Sequence, residues 1–181
     1  MLIDPTTSCL MVIDIQERMA PVIHQAEQVV DRCQWLIEIA NRLEVPVLAT
    51  EQYPKGLGQT LPRLKCLLDA NNIIEKIHFS ALSDAEPRHA LQSGAYQQVI
   101  LVGMETHVCV LQTALELKSQ GYDTFVVQDC VSSRDPEDKA AALERFKQLG
   151  IQVVTREMVA FEWLRRAGTD RFREISRQYL R

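Results

Sequence analysis

The stretch Val99-Ile100-Leu101-Val102-Gly103-Met104-Glu105-Thr106-His107-Val108-Cys109-Val110 decides how this chain is read. An apolar run reads as a strand, the glycine as a tight turn, and the residues from Thr106 onward as a helix. Cys109 then falls in the first turn of a helix, at the carboxyl end of a strand. Helix N-termini carry partial positive charge and N–H groups without intrahelical partners. A thiol there is expected to lean towards thiolate, the nucleophilic form. The same N–H groups could hold an oxyanion formed by attack on a carbonyl.

The pattern repeats on either side. Strand candidates are Cys9–Asp14, Val47–Ala49, Ile73–Glu75, Val99–Val102, Thr124–Val127 and Val153–Val154. The first is apolar almost throughout, as expected of a strand covered on both faces. Between them lie helix-length segments. In the stretch from Ala26 to Leu43, Val29, Val30, Cys33, Leu36, Ile37 and Ala40 recur at helical spacing before Val45-Pro46. Ser83 to Ser93 reads as a short helix with Ser83 and Glu86 as a capping box. Thr106 to Gln120 and Ser133 to Leu149 read as helices closed by Gly121 and Gly150. This alternation predicts an α/β fold, a parallel sheet with helices on both sides and right-handed crossovers.

At 181 residues the chain is read as one domain spanning 1–181, with a helical tail over about 163–181. Phe172, Ile175 and Tyr179 recur at helical spacing in that tail, so it packs as a surface helix or docks on a second subunit. Hydrophobic residues make up 46% and charged residues 24%, with a net charge of -4, which argues against a nucleic-acid partner. No apolar run is long enough for a membrane span, and the amino end lacks a secretory or transit pattern. The five cysteines, Cys9, Cys33, Cys66, Cys109 and Cys130, form no Cys-x-x-Cys. That spacing points to neither a zinc site nor a dithiol motif, and suggests a reducing, cytoplasmic setting.

Ligands of open parallel sheets bind outside the carboxyl ends of the strands. Three reactive side chains are expected there: Asp14 after Leu10-Met11-Val12-Ile13, Lys76 after Ile73-Ile74-Glu75, and Cys109. Singly, Asp14 could cap a helix, Lys76 could leave the sheet into water, and Cys109 could be a buried apolar residue. Together, a carboxylate could take the thiol proton and return it to a leaving group, beside an ammonium that stabilises both anions.

The order and context of these three residues resemble the isochorismatase-like cysteine hydrolases, in the small single-domain branch of uncharacterised hydrolases. The resemblance runs from about Ser8 to Val154. It rests on Val12-Ile13-Asp14-Ile15-Gln16, Ile74-Glu75-Lys76 and Gly103–Val110, with Thr50-Glu51-Gln52-Tyr53-Pro54-Lys55-Gly56-Leu57-Gly58 in addition. It implies a three-layer α/β/α, Rossmann-like fold on a mostly parallel six-stranded sheet. It implies Asp14 as base, Lys76 as its charged partner and Cys109 as nucleophile. It further implies a cis peptide at Met104-Glu105, which would turn the Glu105 N–H towards the Cys109 N–H as an oxyanion hole, and a homo-oligomer. Nicotinamidases of this superfamily hold a metal through an Asp-x-His and a later His. Here no histidine lies between His24 and His78, so no metal and no cofactor are expected.

Gln16, Gln52, Tyr53, Thr106 and His107 are candidates for the substrate pocket. Gln16 could equally start a helix and Tyr53 could equally be a packing aromatic. His107 is read as a pocket or interface residue rather than as the base, since residues two apart on a helix face different ways. His78 and Phe79 read as pocket wall or core, and Cys130 as core. The leading expectation is thiol-dependent hydrolysis of a small amide, or a related C–N bond, through a thioester. The alternatives are hydrolysis of another small-molecule bond of the isochorismatase type, or a non-catalytic or redox-sensing thiol module on the same scaffold.

Overall fold

In a computed structural model, which describes residues 1–180, the chain runs β1 (Ser8–Ile13), α1 (Ala26–Arg42), β2 (Val47–Gln52), α2 (Pro54–Leu57), α3 (Pro62–Lys65), β3 (Ile73–Lys76), α4 (Ala85–Ser93), β4 (Gln98–Met104), α5 (Leu111–Ser119), β5 (Asp123–Ser132), α6 (Pro136–Gln148), β6 (Gln152–Val154), α7 (Arg156–Leu164) and α8 (Asp170–Tyr179). The six strands form one sheet in the order β3-β2-β1-β4-β5-β6, and every pairing between them is parallel. The α/β architecture expected from the alternating pattern is therefore the one observed.

Strand β1 explains the layering. All six of its residues are buried. Leu10 and Val12 pack with α1, α7 and α8 on one face, whereas Cys9, Met11 and Ile13 pack with α4, α5 and α6 on the other. A strand enclosed on both sides needs no polar face, so its sequence is a continuous apolar run. The chain moves outward from β1 in both directions, and the order reverses between β1 and β4. In such sheets that reversal leaves a crevice at the carboxyl ends. The two central strands also approach closely where Gly103 pairs with Ile13. A Cβ on Gly103 would lie 2.1 Å from the Ile13 carbonyl oxygen, and its φ of 137° suits glycine alone.

Several boundaries differ from the sequence reading. Strand β2 continues through Thr50, Glu51 and Gln52, polar residues that are nevertheless buried. The helix read from Ser83 begins at Ala85, and no Ser83 capping box forms. Ser83 instead donates to Glu116, while the Asp84 carboxylate accepts the Ile77 and His78 N–H groups. Helix α6 starts at Pro136, with Asp135 accepting the Glu137 N–H at 2.8 Å. Beside β4, strand β5 bulges: β4 advances from Leu101 to Gly103 while β5 advances from Val126 to Val131. The carboxyl tail folds onto its own chain. Ile175 is buried, and Trp35 on α1 donates to the Tyr179 carbonyl at 2.9 Å. Arg181, the last residue assigned to that tail, lies outside the described residues.

Candidate active site

Strand β2 builds one side of the site by simple alternation. Thr50 and Gln52 share a face and Glu51 points to the other. Because Thr50 pairs with Ile13 across one edge and Gln52 with Lys76 across the other, this face reaches both Asp14 and Lys76. The Thr50 hydroxyl donates to Asp14 Oδ1 at 2.7 Å. Gln52 Oε1 accepts from Lys76 Nζ at 2.5 Å, and its Nε2 donates to the Ile77 carbonyl at 2.6 Å. Glu51, facing away, accepts from the Thr60 N–H and hydroxyl at 2.6 and 2.8 Å.

Asp14 leaves β1 with a left-handed φ of 51°, a conformation that turns the chain sharply off the strand end. Its Oδ2 lies 2.7 Å from Lys76 Nζ, and both side chains are 0% exposed. This contact is an ion pair without well-directed hydrogen-bond geometry, so Oδ2 has no hydrogen-bond partner in the protein. The carbonyls of His78 and Phe79 also accept from Lys76 Nζ, at 3.3 and 3.2 Å. The ammonium is thus enclosed by oxygen atoms. A buried cation is tolerated only under such conditions.

Cys109 meets this pair from the other side of the crevice. Its thiol lies within electrostatic reach of both Asp14 and Lys76, and the residue is 2% exposed. The structure therefore brings together the three residues that the sequence singled out. It corrects their expected ionisation. Burial, and then the Asp14 charge, push the Cys109 thiol up to about 12, against the opposing effect of Lys76. Burial likewise raises Asp14 above its ordinary value, against the effects of Lys76, Thr50 and the Cys109 thiol. The helix terminus that was expected to favour a resting thiolate is outweighed by the desolvation of its surroundings.

The turn before Cys109 also differs from expectation. Among the described residues no peptide bond is cis, so Met104-Glu105 is trans. The sharp change of direction is accommodated at Glu105 instead, which sits at φ 59°, ψ 64°. A left-handed residue turns the chain at lower cost than a non-proline cis bond. Thr106–Val110 then form a π turn ahead of α5, with the Val110 N–H reaching the Glu105 carbonyl at 3.3 Å. Single π turns inside helices recur at functional sites. The buried Glu105 carboxylate is clamped by Arg134, with contacts of 3.1 and 3.3 Å.

The pocket candidates divide. Gln16 is not free to meet a substrate. Its side chain donates to the Gln52 and Gly58 carbonyls at 3.0 and 2.7 Å and accepts the Gln52 N–H at 2.8 Å, so it ties the α2 loop to β2. Gln52 is turned onto Lys76. His107 contacts Ser133 at 2.9 Å and Asp138 at 3.5 Å. Tyr53 is 51% exposed, and its N–H donates to the Lys76 carbonyl at 2.9 Å. Thr106 is fully buried, and its hydroxyl has no hydrogen-bond partner in the protein. Thr50 and Arg134 were missed from sequence: the strand was ended too early to include Thr50, and Arg134 lies far from Glu105 along the chain.

The larger surface hollows lie elsewhere, including one of about 690 Å³ beside β3 and α4. Burial and charge, not surface concavity, mark the site. Of three buried side-chain polar atoms without a hydrogen-bond partner among the described residues, Asp14 Oδ2 and Thr106 Oγ1 belong here. Asp14 Oδ2 is balanced by the Lys76 ammonium at 2.7 Å, whereas the Thr106 hydroxyl, in the turn that carries Cys109, is left without a partner. No group of three or more His, Cys, Asp or Glu side chains suited to a metal occurs among the described residues.

Comparison with known proteins agrees with this geometry. Residues 8–158 match the model of the isochorismatase domain. Isochorismatase family protein 1A of Dictyostelium discoideum is 37% identical over 177 residues, covering 96% of this chain and 86% of that protein. The structure described as MAR1 ribonuclease from Caenorhabditis elegans superposes with a TM-score of 0.92 at 37% identity, covering 100% of this chain and 93% of that one. The YcaC gene product of Escherichia coli, described as an octameric hydrolase of unknown specificity, gives a TM-score of 0.92 at 22% identity, over 99% and 91% of the two chains.

Proposed function

Because this chain belongs to the isochorismatase family, a family of hydrolases, we propose that it is a cysteine hydrolase acting on a small amide or a related C–N bond. The observation that carries the proposal is the fully buried Asp14 carboxylate, paired with the Lys76 ammonium at 2.7 Å and close enough to the buried Cys109 thiol for each to shift the other's ionisation.

In the proposed reaction the thiol is protonated at rest. Asp14 takes its proton as sulfur attacks the carbonyl carbon, and the carbonyl electrons move to oxygen. Backbone N–H groups of the π turn, with Cys109 and Glu105 as the candidate donors, stabilise the oxyanion. The oxyanion collapses to a thioester, and the C–N bond breaks as Asp14 gives its proton to the departing nitrogen. Asp14 next takes a proton from water, whose oxygen attacks the thioester. The acid is released as Cys109 recovers its proton. Lys76 remains an ammonium and compensates the negative charge as it passes between oxygen and sulfur. Thr50 and Gln52 position the pair.

The charges of Asp14 and Lys76 cancel, and Glu105 is already paired with Arg134, which favours an uncharged substrate. The 2% exposure of Cys109 favours a small one. We also propose a homo-oligomer, in line with the assembly named for the E. coli neighbour. The word ribonuclease attached to the C. elegans neighbour suggests a second reading, but a net charge of -4 and a buried nucleophile suit a polyanion poorly.

The test is intact-mass spectrometry of the enzyme mixed with a panel of small amides, with ammonia release measured in parallel. An acyl adduct on Cys109 that is absent from Cys109→Ala is the expected result. Amide hydrolysis undiminished in Cys109→Ala would overturn the mechanism. A reactive thiol that alkylates readily, with no amide turned over, would favour the redox-sensing alternative.

A further inference from the structure

Residues 77–79 follow β3 on the way to α4 and border the triad without belonging to it. Ile77, His78 and Phe79 are all exposed, so no buried apolar side chain anchors the segment. Its backbone is held from two sides instead. Inward, the Ile77 carbonyl accepts from Gln52 Nε2 at 2.6 Å, and the His78 and Phe79 carbonyls accept from Lys76 Nζ at 3.3 and 3.2 Å. Outward, the Ile77 and His78 N–H groups both donate to Asp84 Oδ2, at 3.0 and 2.9 Å, and His78 Nδ1 contacts Asp84 Oδ1 at 3.0 Å. Beyond Phe79 the chain is fixed separately, where the Ser80 hydroxyl donates to Glu116 and the Ala81 N–H donates to the Thr113 hydroxyl at 3.0 Å, both partners lying on α5.

Asp84 immediately precedes α4, where an aspartate ordinarily accepts N–H groups from the first turn of its own helix. Its backbone has the extended conformation of a capping residue, φ −90° and ψ 144°, yet its side chain makes no capping bond. Both carboxylate oxygens are turned onto residues 77 and 78 instead. The start of α4 is left uncapped, and the carboxylate serves the segment that encloses the Lys76 ammonium. Bonds to an ionised acceptor are the stronger kind. A peptide unit is planar, so holding the His78 N–H also orients the Ile77 carbonyl at the far side of the same plane. The His78 ring, held on the other carboxylate oxygen, restrains the residue whose own carbonyl meets Lys76.

We infer that Asp84 is a positioning residue for the Lys76 ammonium: through the backbone of residues 77–79 it keeps carbonyl oxygens on Nζ, and so keeps Nζ at 2.7 Å from Asp14 Oδ2. Asp84 acts only through this segment. The inference deepens the proposed hydrolase reading and rests on it for what Lys76 does to sulfur.

The test uses two variants that separate the segment from the helix start. Asp84→Ser supplies a good helix cap, but its one hydroxyl is too short to serve two N–H groups and the His78 ring. Asp84→Asn keeps an oxygen for the two N–H groups and offers its amide N–H to the ring. The first readout is the nitrogen-15 spectrum of the lysine ammonium groups in the whole chain. Among the described residues Lys76 is the only buried lysine, so its ammonium hydrogens should exchange slowly enough to be seen at neutral pH. That signal should persist in Asp84→Asn and vanish in Asp84→Ser. The second readout is alkylation of Cys109 by chloroacetamide, a small neutral reagent, followed at that residue by peptide mass. Asp84→Ser should slow it about tenfold, since a displaced ammonium no longer supports the thiolate, and Asp84→Asn about twofold at most. Melting curves would verify that both variants fold. An unchanged lysine signal in Asp84→Ser, or equal losses in the two variants, would overturn the positioning role. A lost lysine signal with an unaltered Cys109 rate would keep that role and overturn the coupling of Lys76 to sulfur in the hydrolase reading.

Discussion

Two carboxylate–cation pairs stand at the same rim of the sheet, and they differ in one respect above all. Asp14–Lys76 is 2.7 Å long with both side chains fully buried, whereas Asp129–Arg156 is 3.0 Å long with 23% and 28% of the two side chains exposed. The first lies at the β1–β4 reversal beneath helices on both faces. The second lies towards the β6 edge. Each joins an aspartate to a long cationic side chain, and enclosure is what sets them apart. In the first, water cannot screen the charges, so a proton moved between Asp14 and Cys109 changes the energy of the whole site. In the second, partial solvation leaves a pair that fastens the start of α7 and has Arg32 on the Asp129 carbonyl.

The strongest way to break this contrast is to remove one buried charge. Lys76→Met should destabilise the protein by about 3–5 kcal/mol, because the partner is left uncompensated in a dry site. The measurement is urea unfolding at neutral pH. The double variant Asp14→Asn/Lys76→Met should recover part of the loss. A double variant as unstable as the sum of the two single changes would mean that the charges are solvated independently after all.

A second test uses pH. The Cys109 and Cys9 thiols are both pushed up to about 12 from an ordinary 9.0, mainly by burial. Between those values the unfolded chain loses thiol protons that the native chain retains. Native protein therefore binds more protons, and stability falls as pH rises. The expected slope is about 1.4 kcal/mol per pH unit for each thiol between pH 9 and 12, fully recovered below 9. Cys109→Ala should remove one thiol's share of that slope. An unchanged slope would show that the sulfur is more open to water than its 2% exposure implies.

These two tests also mark where sequence reading stopped. Strand β1 was legible because a strand enclosed on both faces must be apolar throughout. Asp14, Lys76 and Cys109 were legible because strand ends are easy to locate when apolar runs stop abruptly. Strand β2 was read short, since Thr50, Glu51 and Gln52 are buried by virtue of partners distant in sequence. The ionisation of Cys109 was read in the wrong direction for a related reason. A helix terminus is visible in sequence, but the desolvation that overrides it arises only when β1, β2 and β3 close around the thiol. The Met104-Glu105 turn was carried over from a family pattern, and this chain makes it with a left-handed Glu105 instead.

Smaller effects sharpen the contrast. Thr50→Val keeps the shape of the side chain and deletes its 2.7 Å donation to Asp14. About 1–2 kcal/mol of stability should be lost, as for a hydrogen bond to a buried charge. If Thr50 positions the proposed base, kcat for whichever amide is turned over should fall while KM stays nearly constant. An equal fall in stability with unchanged kcat would restrict Thr50 to a structural role.

The smallest change is expected at the exposed pair. Asp129→Asn keeps an acceptor for the Arg156 N–H at the start of α7 and removes the charge together with the Oδ2 acceptor of Nη1, a group exposed enough to turn to water instead. Solvent already screens that charge in part, so the cost should be about 1 kcal/mol or less. Added salt should narrow the gap further, because a half-exposed pair is weakened by screening whereas a fully buried one is not. The decisive comparison is therefore between salt responses. Raising the ionic strength should reduce the penalty of Asp129→Asn and leave that of Lys76→Met unaltered. Parallel responses in the two variants would mean that burial is not what distinguishes the pairs.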